Sequence, residues 1–357
     1  MAPDKLTERQ KLILSRLIEM HVKLAQPVGS QALAESMRLH VSSATIRNEM
    51  SELEQLGYIT HLHTSAGRLP TDKGYRFYVN EISENDMADA RISKQVMSGF
   101  SKKIRDMEEL IDVTSKVLAA LTEQASVVIL PEPEFLYLKD VKLVLLKSNR
   151  LLVAWTTTDG VVSHRVVDVD KKITPELCKR IMTLLNEELA GHKLGEVEYI
   201  LLDKLKDCRE TLRSMYEMAR QIMNLSLLGT EIPSLKTSGS DYMFDKPEFR
   251  DVSILQRIFR ILQGQEKNIE SLIQSGNWME GVQVRIGTEN PSDLKECSIV
   301  SAPYRLGSHA FGSLAVIGPR RMPYRLTMST VYYVSHMLSE ALERLHATED
   351  TLEEGDA

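Results

Sequence analysis

VSSATIRNEMSELEQLGYI, Val41 to Ile59, lays an apolar face and a polar face along one helix. Ile46, Met50, Leu53 and Leu56 recur at the spacing of a single helical face, and Ser42 or Ser43 is placed to cap its N-terminus. Ala44, Asn48, Ser51 and Gln55 fall opposite, with Arg47 at the edge. A merely solvated face is more usually rich in Glu and Lys. Small, amide and guanidinium side chains near a helix N-terminus suit close approach to base edges and phosphates instead. The stretch reads as a DNA recognition helix.

The flanking sequence supports that reading. Thr7 to Gln10, TERQ, forms a capping box that opens a helix with Ile13, Leu14, Leu17 and Ile18 inward, ending before Pro27 and Gly29. Ser30 can cap a short helix, QALAESM, offering Ala32, Leu33 and Met37 to a core. Two short helices joined by RLHV, the second with a polar N-terminal face, make a helix-turn-helix pattern. After Gly57, YITHLHTSAGRLP reads as a strand and turn, a wing, and TDKGYRFYVNEI returns to helical spacing through Tyr75, Tyr78 and Val79. Arg68, beside Gly67 at the expected turn tip, is placed to reach a phosphate or the minor groove; a solvated hairpin arginine is the alternative. His61 and His63 share a strand face, but no third ligand lies nearby to make a metal site.

Charge and composition narrow the function classes. At 357 residues and 43% hydrophobic content the chain can build two or three cored domains. No apolar run approaches the roughly 18 residues of a membrane span, and MAPDKLTERQ lacks the apolar segment of a secretion signal, so a cytoplasmic location without membrane partners is expected. Cys178, Cys208 and Cys297 have no paired spacing and read as buried free thiols. The net charge is −6, yet residues 1–82 hold ten Lys/Arg against nine Asp/Glu, and the remainder 34 against 41. A near-neutral DNA-binding module attracts phosphate weakly, so tight binding calls for two copies acting together. Neither GxxxxGK[ST], GxGxxG, a nucleophile elbow nor HExxH occurs. No catalytic residue, cofactor or metal is therefore expected, although scattered Ser, His and Asp residues can still converge in space.

Beyond a polar linker at Ser83–Asp89, apolar positions from Ile92 through Val96, Phe100, Ile104, Met107, Ile111, Leu118 and Leu121 predict one long helix or two collinear ones. Such a stripe packs on its own domain or forms a coiled-coil stem. SVVILP and LYLKDVKLVLLKSNRLLVAWTTTDGVVSHRVVDV follow, with SNR and TDG as hairpin turns of an antiparallel meander, and Pro175 to Leu189 is an amphipathic helix. A second β set, VQVRIG, CSIVSAPYRLG and FGSLAVIGPRRMPY, precedes a closing helix from about Leu326 to His346. The two sets read as halves of one sheet domain split by an insertion. The intervening residues carry VEYILLD and helical patterns in LRSMYEMARQIMNLSLL, VSILQRIFRIL and NIESLIQ. Met215, Met218, Met223, Ile258 and Phe259 lie on their stripes, for a self-contained core or a subunit interface. Trp155 and Tyr304 belong to a core or line a pocket.

QPVGSQALAE, SSATIRNEMSELEQLGYI and above all TSAGRLPTDKGYRFYV resemble the HrcA family of bacterial heat-inducible transcription repressors. VQVRIGTEN, SIVSAPY and GSLAVIGPRRMPY resemble its C-terminal half. The resemblance implies an α+β multidomain fold: a winged helix-turn-helix DNA-binding domain (1–82), a linker and connecting helix (83–124), and a GAF-like antiparallel-sheet domain in two parts (125–190 and 277–347). A helix-rich dimerization insert (191–276) interrupts that domain, and an acidic tail (348–357) ends the chain. It further implies a homodimer that represses heat-shock chaperone operons from an inverted-repeat operator on double-stranded DNA, with activity promoted by the chaperonin and lost on heat stress. The residues divide the contacts: Ser43, Ala44, Thr45 and Asn48 near base edges, Arg47 on a base or phosphate, and Arg68, Lys73 and Arg76 on the backbone. The alternative is a metabolite-sensing winged-helix/GAF regulator.

Overall fold

The computed structural model describes residues 6–353 except 38–41, 62–66, 83–86, 88, 101–106, 132, 159, 228–234, 263–267, 275–277 and 307–309. Helices α1 (Glu8–Leu24), α2 (Ser30–Met37) and α3 (Ser43–Gln55) lead into a short antiparallel pair, β1 (Ile59–Thr60) with β2 (Leu69–Pro70), and then α4 (Asp72–Asn80). The Thr7 capping box forms as expected, and α1 ends where Ala25 turns left-handed at φ 55°. Ser42, rather than Ser43, caps α3, its hydroxyl accepting from the Thr45 amide. Leu14, Leu17, Leu33, Ile46, Met50, Leu53 and Tyr75 share one core. Two expected core positions lie outside it. Leu56 sits at the C-cap of α3 and Ala32 on the outer face of α2, and both are exposed.

Two glycines explain the close packing of this domain. A Cβ on Gly74 would lie 2.2 Å from the Tyr58 carbonyl oxygen, and one on Gly67 2.5 Å from the Val28 carbonyl carbon. The first lets α4 pack against the end of β1; the second lets Arg68 and Val28 exchange backbone hydrogen bonds at 2.9 Å.

Helices α5 (Ala90–Gly99) and α6 (Met107–Thr122) replace the expected long or collinear helix. They fold back on one another, since a Cβ on Gly99 would fall 2.5 Å from the Val117 side chain, about three turns along α6. The stripe therefore packs within its own domain. Next come β3 (Ala125–Ile129), a meander of β4 (Leu138–Lys147), β5 (Arg150–Thr157) and β6 (Val162–Asp168), then α7 (Pro175–Leu189), α8 (Val197–Asp207) and α9 (Glu210–Leu227). The chain continues through β7 (Leu235–Ser238), α10 (Val252–Leu262), α11 (Asn268–Ile273), β8 (Gln283–Ile286), β9 (Cys297–Leu306), β10 (Ala310–Pro319) and α12 (Tyr324–Glu353). The closing helix thus runs into residues expected as tail.

Sheet pairing redraws the expected division. A five-stranded antiparallel sheet has the order β7-β3-β10-β9-β8, and the meander forms a separate three-stranded sheet, β4-β5-β6. Only β3 of the 125–190 strands joins the C-terminal strands. The reason is burial pattern. All five residues of β3 are buried, as a strand covered on both faces requires, whereas β4 to β6 alternate or run exposed, as a sheet covered on one face does. Val127 and Ile129 face Leu255, Ile258 and Leu262 of α10, while Val128 faces the cluster holding Leu118 of α6 and Val331 of α12. The inner face of the meander packs Val141, Val153 and Trp155 against α7 and α9. Asn186 of α7 spans both backbone groups of Val141, donating to its oxygen at 2.9 Å and accepting from its nitrogen at 2.7 Å.

The interruption of the five-stranded sheet therefore falls between β3 and its neighbour β7, as the unit running from β4 through α9. Helices α10 and α11, expected in the same insert, belong to the sheet they cover. Met218 and Met223 are buried under the meander and Ile258 under the five-stranded sheet, so each stripe serves a core, but two different ones. Trp155 and Tyr304 are also core residues, and the Tyr304 hydroxyl donates to the Ile129 carbonyl at 3.0 Å. Cys178 and Cys297 are buried thiols and Cys208 is half-buried.

Candidate nucleic-acid interface

The N-terminal half of α3 presents an open surface. Ser43, Ala44, Arg47 and Asn48 are exposed and Thr45 is half-buried, while Ile46 and Met50 on the opposite face hold the helix down. Among the described residues, neither the Arg47 guanidinium nor the Asn48 amide has a side-chain partner. The last turns of the same helix differ. Glu49 pairs with Arg9 at 3.3 Å, and Glu52 accepts from Gln10 at 2.8 Å. Glu54 takes both Arg68, at 2.8 Å, and His61. Burial disfavours the charged Glu54 carboxylate, but His61 and Arg68 outweigh it and hold its pKa below the usual carboxylate value. Each of the three acids on this helix is thus tied to a neighbour.

The three basic residues expected on the DNA backbone do not lie with that open surface. Arg68 stands at the base of the wing, bound to Glu54 and to the Val28 backbone, rather than at its tip, which lies outside the described residues together with His63. Lys73 donates to the Leu56 carbonyl at 2.8 Å and lies 4.4 Å over the Tyr58 ring, so it caps the far end of α3. Arg76 is turned onto the five-stranded-sheet domain. Its Nε donates to Glu289 Oε1 at 2.8 Å, its Nη2 to the Val284 carbonyl at 2.6 Å, and Nη2 also pairs with Glu289 Oε2.

Asp72, Thr288, Arg320 and Arg321, from the stretches TSAGRLPTDKGYRFYV, VQVRIGTEN and GSLAVIGPRRMPY, complete this junction. Asp72 accepts from the Thr288 amide at 2.9 Å and pairs with Arg320 at 3.3 Å. Arg321 donates to the Val22 carbonyl in the last turn of α1 at 2.7 Å and holds Glu248 at 2.5 Å. Burial keeps the neighbouring His21 imidazole below its usual pKa, and the Arg321 charge adds to that effect against the hydrogen bond to the Gln26 carbonyl. Residues more than 200 positions apart meet here, so local pattern could not pair them. The run of Arg320 and Arg321 after β10 was the available signal.

No helix among the described residues is long and apolar enough to cross a membrane, and no group of three His, Cys, Asp or Glu side chains among them is placed to hold a metal ion.

Comparison with known proteins converges on one family. The model of a winged helix-turn-helix transcription repressor, HrcA DNA-binding, matches residues 5–83, and that of the HrcA protein C terminal domain matches residues 108–328. A heat-inducible transcription repressor HrcA from Pelotomaculum thermopropionicum is 34% identical over 342 residues, covering 96% of this chain and 98% of its own. Another from Symbiobacterium thermophilum is 34% identical over 334 residues, covering 93% and 98%. A crystal structure described as that of a hypothetical protein superposes with a TM-score of 0.67 at 28% identity, covering 95% of this chain and 99% of the other. The chain belongs to the HrcA family of heat-inducible transcription repressors, and its N-terminal domain is the family's DNA-binding winged helix.

Proposed function

We propose that this repressor binds an inverted-repeat operator of chaperone operons as a cytoplasmic homodimer, reading each half-site with Ser43, Ala44, Thr45, Arg47 and Asn48. The observation that carries the reading is the open N-terminal half of α3, where small and hydrogen-bonding side chains stand exposed over a buried apolar face. An exposed amide suits adenine, and a guanidinium suits guanine or a phosphate. The domain's near balance of charge limits what one copy contributes, so two-fold pairing supplies the remaining affinity. Its role is regulatory rather than catalytic.

The outer face of the meander supports pairing. Val144, Leu152 and Val166 align across β4, β5 and β6, with Leu146 and Val162 flanking them. Val144, Leu146 and Val166 are each 50% exposed and Val162 is 67% exposed. A second copy of the same face would cover this apolar row isologously. The chaperonin is the further partner in this reading. Exposed Phe135, Tyr199 and Phe244 offer the kind of apolar side chain that a chaperonin captures. Competition between chaperonin and misfolded protein would then set how much repressor is competent.

Selection from random duplex DNA by the purified protein tests the reading. Recovery of an inverted repeat, bound by a species of twice the chain mass and bound more tightly with chaperonin added, is the expected result. Recovery of unrelated sequences, or binding of single half-sites by a monomer, would overturn it.

A further inference from the structure

The winged helix is fastened to the five-stranded-sheet domain at three separated points. Asp72, at the first turn of α4, accepts from the Thr288 amide at 2.9 Å and hydroxyl at 3.0 Å, and pairs with Arg320. Arg76, one turn on, makes the two-pronged contact with Glu289 and reaches the Val284 carbonyl. Tyr75 lies between them, its ring 5.7 Å from that of Tyr324, with both side chains buried. The third point is on α1, where Arg321 bonds the Val22 carbonyl while Glu248 holds its other edge. Asp72 and Arg76 stand four apart, on one face of α4, and bind the partner domain from a single side.

Stability alone does not explain the arrangement. The pairs are partly exposed, with side-chain accessibilities of 15% to 44%, and such contacts contribute little each. Their geometry is the informative part. A planar guanidinium meeting a carboxylate along two prongs fixes direction as well as distance. Arg76 and Glu289 make such a pair, and the Asp72 contacts one turn earlier and the Arg321 bond to α1 add two further points that oppose turning of the module. Gly287 is shaped for this contact: its φ is +51°, and a Cβ there would fall 2.3 Å from Asp72 Oδ2.

We propose that Asp72, Arg76 and Arg321 are positioning residues that set the orientation of α3 on the sheet domain, and with it the spacing at which two copies offer their recognition helices to DNA. The proposal rests on the homodimer reading above. A rigidly mounted pair engages both half-sites of a correctly spaced repeat at high effective concentration and is mismatched to any other spacing. Arg76 then serves operator recognition without touching DNA.

The test uses the full-length protein with Glu289→Ala, Gly287→Ala and the exchanged pair Arg76→Glu with Glu289→Arg. Gly287→Ala keeps every charge, while its Cβ meets Asp72 and strains the loop at a φ of +51°. Affinity is measured for the inverted repeat selected by the wild-type protein, for one half of it, and for repeats lengthened by one to three base pairs. Amide exchange is followed over α4. Glu289→Ala and Gly287→Ala should bind the half-site within about twofold of wild type, lose tenfold or more on the repeat, tolerate altered spacing better, and exchange faster in α4 than in α1. The exchanged pair should recover part of the binding to the repeat that Glu289→Ala loses, because it restores the ion pair but not the bonds to the Val284 carbonyl and the Ile286 amide. Unchanged affinity for the repeat overturns the proposal, as does an equal loss on half-site and repeat. Should the wild type bind repeat and half-site equally, the homodimer reading fails, and α4 exchange decides the fastening: unaltered exchange in both variants rejects it.

Discussion

Arg68 Nε lies 2.8 Å from Glu54 Oε2, so the base of the wing is pinned to the last turn of the recognition helix by an internal carboxylate. The guanidinium that sequence assigns to the DNA backbone is thereby neutralised before DNA arrives. Glu54→Gln removes one negative charge and loosens the hold on Arg68 without changing side-chain size. Affinity for random duplex DNA should rise, and the slope of log affinity against log salt should steepen by about one. A slope equal to that of wild type would place Arg68 away from the phosphates.

Asn48 and Arg47 separate base reading from charge. Asn48→Ala should cost about 1 to 3 kcal/mol of discrimination at its base pair and leave random DNA nearly unaffected. Arg47→Ala should instead weaken both if its guanidinium lies on phosphate. Competition titrations against single-base operator variants measure the difference; an equal loss for Asn48→Ala on specific and random DNA removes it from base reading.

Gly74 makes a tighter backbone approach than any other glycine of the winged helix. An added methyl would meet the Tyr58 carbonyl at 2.2 Å, and that oxygen already accepts from the Thr71 amide at 3.0 Å. Neither backbone can yield without moving α4 or β1. Gly74→Ala should destabilise the domain by about 1 to 3 kcal/mol, as overpacking does. Urea unfolding of the variant followed at both domains would show the loss; a midpoint within error of wild type would mean that the two segments part freely.

His21 makes the junction sensitive to acid. Its folded pKa lies below the unfolded value of about 6.5, so protonation favours the unfolded chain. The associated stability is fully present above that value and declines as pH falls through it toward the folded pKa. Arg321 and Glu248 face the imidazole, and the Gln26 carbonyl meets its Nδ1. Between pH 7.5 and 5.5, wild type should lose more stability than His21→Gln, measured as the shift in urea midpoint for each. Parallel shifts would show that carboxylates, not His21, set the acid response.

How much of this was legible in the sequence depended on range. The capping box at Thr7, the buried face of Ile46, Met50 and Leu53, and the helix Pro175–Leu189 follow from periods of three to four residues, and each appears as read. The hairpins of the meander follow from local turns. Which sheet the strands joined did not, because β3 pairs with residues 313–317 and 235–238 through contacts that no local pattern encodes. Continuous burial of ASVVI against the alternation of RLLVAWTT was the usable clue. Arg76 shows the same limit at the site: its charge pointed to phosphate, while its partner Glu289 lies 213 residues away.

The outer face of the meander makes the last prediction. Val144, Leu152 and Val166 form one row across three strands, and β6 adds Val162 at its other end. A charge within a paired apolar face must be buried unpaired or force the copies apart, and separation is the cheaper outcome. Val166→Lys should therefore yield a monomer of unchanged fold, because the side chain projects away from Trp155 and the inner core. The monomer should keep half-site affinity and lose the added affinity of the inverted repeat. Sedimentation fixes the mass and anisotropy the binding; a Val166→Lys protein that stays dimeric moves the pairing surface elsewhere on the chain.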